Sequence, residues 1–116
     1  MATSEYARFE VVSVPFPFTD SSQSKKRPAL VLSNPEFNSQ SGHVVLAMIT
    51  SAKNSAWISD IRIANLETAG LPAPSVIRLK LFTLDKRLII QKLGQLDDTD
   101  IKNTRKAIKH LFSDQA

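Results

Sequence analysis

The fold class predicted for this chain is mainly β with one C-terminal helix (α+β), a small and mostly antiparallel β-barrel. Three features predict it. The apolar runs are short and rich in Val, Ile, Leu and Phe, which is the length and make-up of strands. Each run is closed by proline, glycine or asparagine turn chemistry. Helical periodicity is convincing only once, after Gly94.

Taken in order, Phe9 to Phe16 (FEVVSVPF) predicts the first strand. Pro15-Phe16-Pro17 ends it, because proline lacks the N–H that a central ladder uses. Thr19 to Lys26 is polar and cationic at its end, the composition of a mobile surface loop. Arg27 opens a second strand that runs to Ser33. Asn34-Pro35 breaks it, and Ser39-Gln40-Ser41-Gly42 reads as a turn. His43 to Ile49 is almost continuously apolar, so a strand buried on both faces is expected, ending at Thr50-Ser51. Trp57 to Ile63 alternates and predicts a half-buried strand. Gly70 to Pro74 predicts a loop, and Ser75–Arg78, Leu81–Leu84 and Leu88–Leu93 predict short strands. The helix begins near Leu96-Asp97-Asp98-Thr99-Asp100, where an Asp or Thr can cap it and the acidic cluster suits the positive end of the helix dipole. Ile101, Ile108, Leu111 and Phe112 recur at helical spacing, with Lys102, Arg105, Lys106 and Lys109 mainly elsewhere on the wheel.

At 116 residues, 42% hydrophobic and 22% charged, the chain reads as one globular domain over 1–116, with 1–8 as a poorly ordered N-terminal extension. A chain of this size buries only about two-thirds of its unfolded surface, so self-association would add stability. There is no cysteine, which excludes a disulfide scaffold, a thiol nucleophile and cysteine metal ligands. The N-terminal stretch lacks the basic start and apolar run of a signal peptide, and the Val44–Ile49 run is far shorter than a membrane span. A soluble, cytoplasmic protein is expected. The formal charge of +4 and isoelectric point near 9.6 favour a polyanionic partner without requiring one.

Most enzyme constellations are missing. The two histidines, His43 and His110, form no metal-binding motif, and the isolated Gly42, Gly70 and Gly94 form no phosphate loop. Asp97, Asp98 and Asp100 fit helix capping better than a divalent-metal site. What remains is a cationic run, Lys25-Lys26-Arg27, at a strand start, and a hydroxyl pair, Thr50-Ser51, at a strand end. By itself the first is more often a solvated loop edge than a site, and the second more often a strand terminus whose hydroxyls bond the local backbone. Phe16, Phe18 and Trp57 are open to two readings, core packing or stacking on unpaired bases.

The blocks Val12–Asp20 (VSVPFPFTD), Arg27–Ser33 (RPALVLS) and Leu46–Ser51 (LAMITS) resemble, in order and spacing, the signature of the MazF/PemK toxin family. Gly70-Leu71, Ser75-Val76, Thr83-Leu84-Asp85-Lys86 and Lys92-Leu93-Gly94-Gln95-Leu96 resemble its C-terminal half, so the likeness runs from about Phe9 to Phe112. Two departures stand out: Phe9-Glu10 where many relatives carry Gly-Asp, and the two prolines, Pro72 and Pro74, in the Gly70–Ser75 region. The loops that select RNA sequence differ widely among relatives.

The resemblance implies an SH3-like barrel, usually a homodimer, that cleaves single-stranded RNA with no metal or other cofactor and is restrained by an acidic antitoxin protein. It further implies Arg27 and Thr50 as catalytic residues. Lys25, Lys26, Ser51, Phe18 and Trp57 would be the substrate-binding residues. Arg27 is suited to stabilising a charged phosphorane, since a guanidinium can hold two phosphate oxygens; its pKa above roughly 12 makes it a poor base. Two non-catalytic alternatives stay open: a barrel of the gyrase-poisoning toxin type, and a general RNA-binding module.

Overall fold

The computed structural model describes residues 5–16, 25–54 and 56–114. Phe18 and most of the loop expected over Thr19–Lys26 lie outside the described residues. Six strands form one antiparallel sheet: β1 (Glu10–Phe16), β2 (Lys25–Val31), β3 (His43–Ser51), β4 (Ile61–Arg62), β5 (Ser75–Asp85) and β6 (Gln91–Gln95). Their order is β4-β5-β3-β2-β1-β6. Among the described residues, three α-helices and a short 3-10 turn over Lys86–Leu88 complete the fold: α1 (Pro35–Ser41), α2 (Leu66–Ala69) and α3 (Asp98–Leu111).

Alternation along the strands divides the apolar residues between two faces. Val11, Leu30, Ala47, Ile49, Ile77 and Leu79 point to one core, where they meet Ile101, Ala107 and Ile108 of α3. Val12, Val14, Ala29, Val31, Val44, Leu46 and Leu84 form a second core on the other face, joined by Tyr6, Phe82 and Leu88. β3 is therefore buried on both sides, as its unbroken apolar run predicts. Residues of the two edges, Ile61 and Ile63 at β4 and Leu93 and Leu96 around β6, reach the same core as α3. The sheet must curl around that helix for its edges to meet there, which makes it a half-barrel with a C-terminal helix, in the class of the small antiparallel barrel expected from the sequence.

Phe9 stands at the entry to β1 with φ 70°, the one non-glycine residue with positive φ among those described. Its N–H donates to the Val31 carbonyl at 2.7 Å, and its own carbonyl accepts from Leu96 N–H at 2.9 Å. The ring is 4% exposed, with the Arg8 and Arg105 guanidinium carbons 4.6 and 5.1 Å from its centroid. Phe9 thus combines a strained backbone with a buried, cation-flanked ring.

Gly70 and Gly94 press α2 against β6. A Cβ on Gly70 would stand 2.0 Å from the Leu93 carbonyl oxygen, and one on Gly94 would stand 2.4 Å from that of Thr68. Gly94 thus joins two backbones from within a strand.

Several elements depart from the sequence expectation. Asn34-Pro35 starts a helix: Asn34 Oδ1 accepts from Phe37 N–H at 2.8 Å, with proline tolerated at the first turn. Trp57–Asp60 is a turn closed by Asp60 N–H to the Trp57 carbonyl at 3.1 Å, leaving only Ile61–Arg62 as strand. The two strands expected over 75–84 are one, with a register shift opposite Ala47 and Met48. Phe112, expected in the core, is 69% exposed. Within the stretch expected as an N-terminal extension, Arg8 Nε donates to the Leu32 carbonyl at 2.7 Å, and the Tyr6 carbonyl accepts from the buried Asn38 amide at 2.8 Å. No helix among the described residues is long and apolar enough to cross a membrane.

Candidate functional site

On the face of the second core, four strands change character at the same end. Val12 and Val14 give way to Phe16 on β1, and Val31 and Ala29 to Arg27 and Lys25 on β2. Val44 and Leu46 give way to Met48 and Thr50 on β3, and Leu84 and Phe82 to Lys80 and Arg78 on β5. Side chains two apart on a strand share a face, so these polar and cationic groups line up beyond the apolar ones. The register agrees: Phe16 pairs with Lys25, Val14 with Arg27, and Met48 with both Ala29 and Arg78.

The β2–β3 ladder ends at Ala29 and Met48, so Arg27 and Thr50 each lie two residues beyond its last pair, on one face and at one level. Beside them is a pocket of about 220 Å³ lined by Phe16, Met48, Thr50, Arg78, Lys80, Leu81 and Phe82. Thr50 Oγ1 accepts a hydrogen bond from Asn54 Nδ2. Arg27 is exposed on the adjacent strand.

The expected substrate-binding residues scatter around this pocket. Lys25 shares the face of Arg27, whereas alternation sends Lys26 to the other side, with Leu30. Ser51 likewise alternates away from Thr50, and its Oγ accepts from Lys53 N–H at 3.2 Å. Trp57 is 44% exposed and stacks against Arg78, whose guanidinium carbon is 5.2 Å from the ring centroid. Phe16, 43% exposed, lines the pocket.

Sequence reasoning missed Arg78, Asp60, Lys80 and Asn54. Arg78 Nε and Nη2 donate to Asp60 Oδ1 and Oδ2 at 3.1 and 2.9 Å. These bonds hold the Asp60 carboxyl below its ordinary range, against the opposing effect of burial, and raise the arginine above its own. The signal was legible: in Val76-Ile77-Arg78-Leu79-Lys80, two cations recur at period two within an apolar strand. The acidic helix start caps the helix and ties it to the loop before α2. Asp97 accepts from Asp100 N–H at 2.9 Å, and buried Asp100 accepts from Ala64 and Asn65 N–H at 2.9 and 3.1 Å.

Residues 7–112 match the family of PemK-like, MazF-like toxins of type II toxin-antitoxin systems. No curated protein matches the sequence. Among solved structures, an endoribonuclease from a Mycobacterial species aligns over 100% of both chains at 15% identity and TM-score 0.74. A MazE-MazF structure from Deinococcus radiodurans aligns over 93% of this chain and 96% of that one, at 19% identity and TM-score 0.73. A Mycobacterial endoribonuclease in complex with its cognate antitoxin aligns over 93% of each chain at 16% identity and TM-score 0.70. At such identities the likeness is one of fold.

Proposed function

Since the chain belongs to the PemK-like, MazF-like toxins of type II toxin-antitoxin systems, we propose that it is an endoribonuclease that cuts single-stranded RNA without a metal. The observation that carries this reading is the placement of Arg27 and Thr50 on one sheet face, at one level, beside a pocket bordered by further cations. A polyanion with unpaired bases suits such a surface.

In the proposed reaction the ribose 2′-OH attacks the adjacent phosphorus and expels the 5′-oxygen, leaving a cyclic phosphate and a 5′-hydroxyl. DNA, lacking the 2′-OH, is not cut by this route. Arg27 grips two phosphate oxygens as negative charge builds on the phosphorane. Thr50 donates to the same phosphate or orients the 2′-OH. Its oxygen already accepts from Asn54, which leaves the hydroxyl hydrogen for donation. Lys25, on the face of Arg27, attracts the backbone, while Lys26 on the other face adds only to the general positive charge. An acidic antitoxin would compete with RNA for the same cations, in keeping with the net charge of +4. The working form is a cytoplasmic homodimer.

The test is incubation with a long RNA in EDTA. Arg27→Ala should slow cutting about 100- to 1,000-fold, the usual cost of one such donor. Arg27→Lys should restore little, because a point charge lacks the two-pronged grip. Thr50→Ala should also be slow, and Thr50→Ser should retain much of the rate. A folded Arg27→Ala protein that cuts as fast as the parent would overturn the assignment. RNA left intact by the parent would overturn the activity and favour a binding module.

A further inference from the structure

Chemistry at a single phosphate leaves Arg78 without a task, although it lines the same pocket as Thr50. Across the β3–β5 pairing Arg78 faces Met48, and Thr50 is its diagonal neighbour, about 7–8 Å away and within reach of a long side chain. On its other side, the pairing of Ile61 with Ile77 brings Asp60 alongside Arg78, and the carboxylate takes the guanidinium in a two-pronged grip. Asp60 is itself fixed, since its Oδ2 accepts from Trp57 N–H at 3.0 Å and its own N–H donates to the Trp57 carbonyl. The side chains of Arg78 and Asp60 are only 14% and 8% exposed. Ion pairs so far removed from water contribute little net stability in general, but they fix orientation closely. Arg27 on β2, Thr50 on β3, Arg78 on β5 and Trp57 beyond it therefore form a row running across the strands. At a strand spacing of roughly 4.8 Å, Arg27 and Arg78 stem from backbones about 10 Å apart. Asp60 holds the Arg78 guanidinium from the side of β5 away from Arg27, so the two cations suit neighbouring phosphates.

Resting on the RNA-cleaving reading above, the geometry points to Arg78 as a substrate-binding residue for the phosphate adjoining the one cut. The neighbouring base stacks on Trp57, and Asp60 is the positioning residue that aims the guanidinium. RNA would then cross the strands, entering at Lys25 and Arg27 and leaving past Arg78 and Trp57, or the reverse.

The test is binding of a random-sequence pool of 2′-O-methyl RNA 12-mers, which lack the attacking hydroxyl, followed by fluorescence anisotropy at several salt concentrations. The principal variant is the double substitution Arg78→Gln with Asp60→Asn. It removes one cation and one anion, so the net charge stays at +4, and it strands no buried charge. Binding should weaken about tenfold or more, the usual worth of a charge-assisted contact. The slope of log affinity against log salt should shrink by about 0.7, one phosphate contact on a single strand. Arg78→Lys should fall between parent and double variant.

Asp60→Ala supplies the sign. Losing an anion alone tightens RNA binding, so weaker binding identifies positioning, and tighter binding overturns that role for Asp60. Unchanged affinity and slope in a folded double variant overturn the Arg78 subsite. Cutting by the parent in EDTA is scored separately. A parent that cuts beside a double variant that binds normally sinks the subsite alone. A parent that does not cut, with binding still lost in the double variant, sinks the cleavage reading and leaves Arg78 as an RNA contact.

Discussion

Phe9 makes an unusual stability prediction, that glycine should be tolerated better than alanine at a strand entry. The ring is 4% exposed and belongs to the core sealed by α3, and truncating a buried phenylalanine costs about 3–5 kcal/mol. Alanine and glycine both lose that packing. Alanine keeps a Cβ at φ 70°, and with it a left-handed strain of roughly 1–2 kcal/mol. Glycine has no such strain and gives back about 0.5–1 kcal/mol through its freer unfolded chain. Phe9→Gly should therefore be more stable than Phe9→Ala by about 0.5–1 kcal/mol, reversing the ordinary ranking in strands. With a urea slope of about 1–3 kcal/mol per molar, the midpoints should differ by a few tenths molar, both below the parent. A Phe9→Gly midpoint at or below that of Phe9→Ala would refute the claim that backbone strain is held at this residue.

Light scattering at micromolar concentration should give about twice the 12.9 kDa chain mass; a fully active monomer would contradict the proposed dimer. Gly70→Ala and Gly94→Ala should each cost more than about 2 kcal/mol of stability in urea unfolding, since each new Cβ meets backbone, and near-parental midpoints would disprove the close contact. Because the folded-state pKa of Asp60 is depressed by Arg78, its contribution is present above the unfolded value of about 3.9 and fades as pH falls below it. Between pH 6 and pH 3 the double variant Arg78→Gln with Asp60→Asn should accordingly lose less stability than the parent, and parallel losses would show the pair has no part in acid sensitivity.

The fold was largely legible because its strands and terminal helix carry local signals. The Val44–Ile49 run announces burial on both faces, and Asp97 with the Ile101–Ile108 spacing announces a capped helix. α1 and α2 escaped because each spans under a dozen residues and rests on an asparagine cap, at Asn34 and Asn65, that reads equally as a turn. Arg27 and Thr50 were singled out through family-like blocks. That they share a face could not be read, because it depends on the pairing of Ala29 with Met48, which is set by tertiary contacts. Arg78 was obscured for a related reason: reading β5 as two short strands divided its alternation at the residue that matters.

The seat of β1 between β2 and β6 also links assembly to synthesis. Glu10, at the start of the first strand, pairs with Gln95, at the end of the last. Such distant pairings close large loops and form slowly. Until Gln91–Gln95 has been made, one edge of β1 has no ladder partner, α2 lacks Gly94 to rest on, and the face bearing Ile49 and Ile77 has no α3 to cover it. Arg27 and Thr50 come to one level only once β2, β3 and β5 hold their register. An unfinished chain therefore carries the same cations dispersed along its length, without the arranged surface proposed to hold RNA.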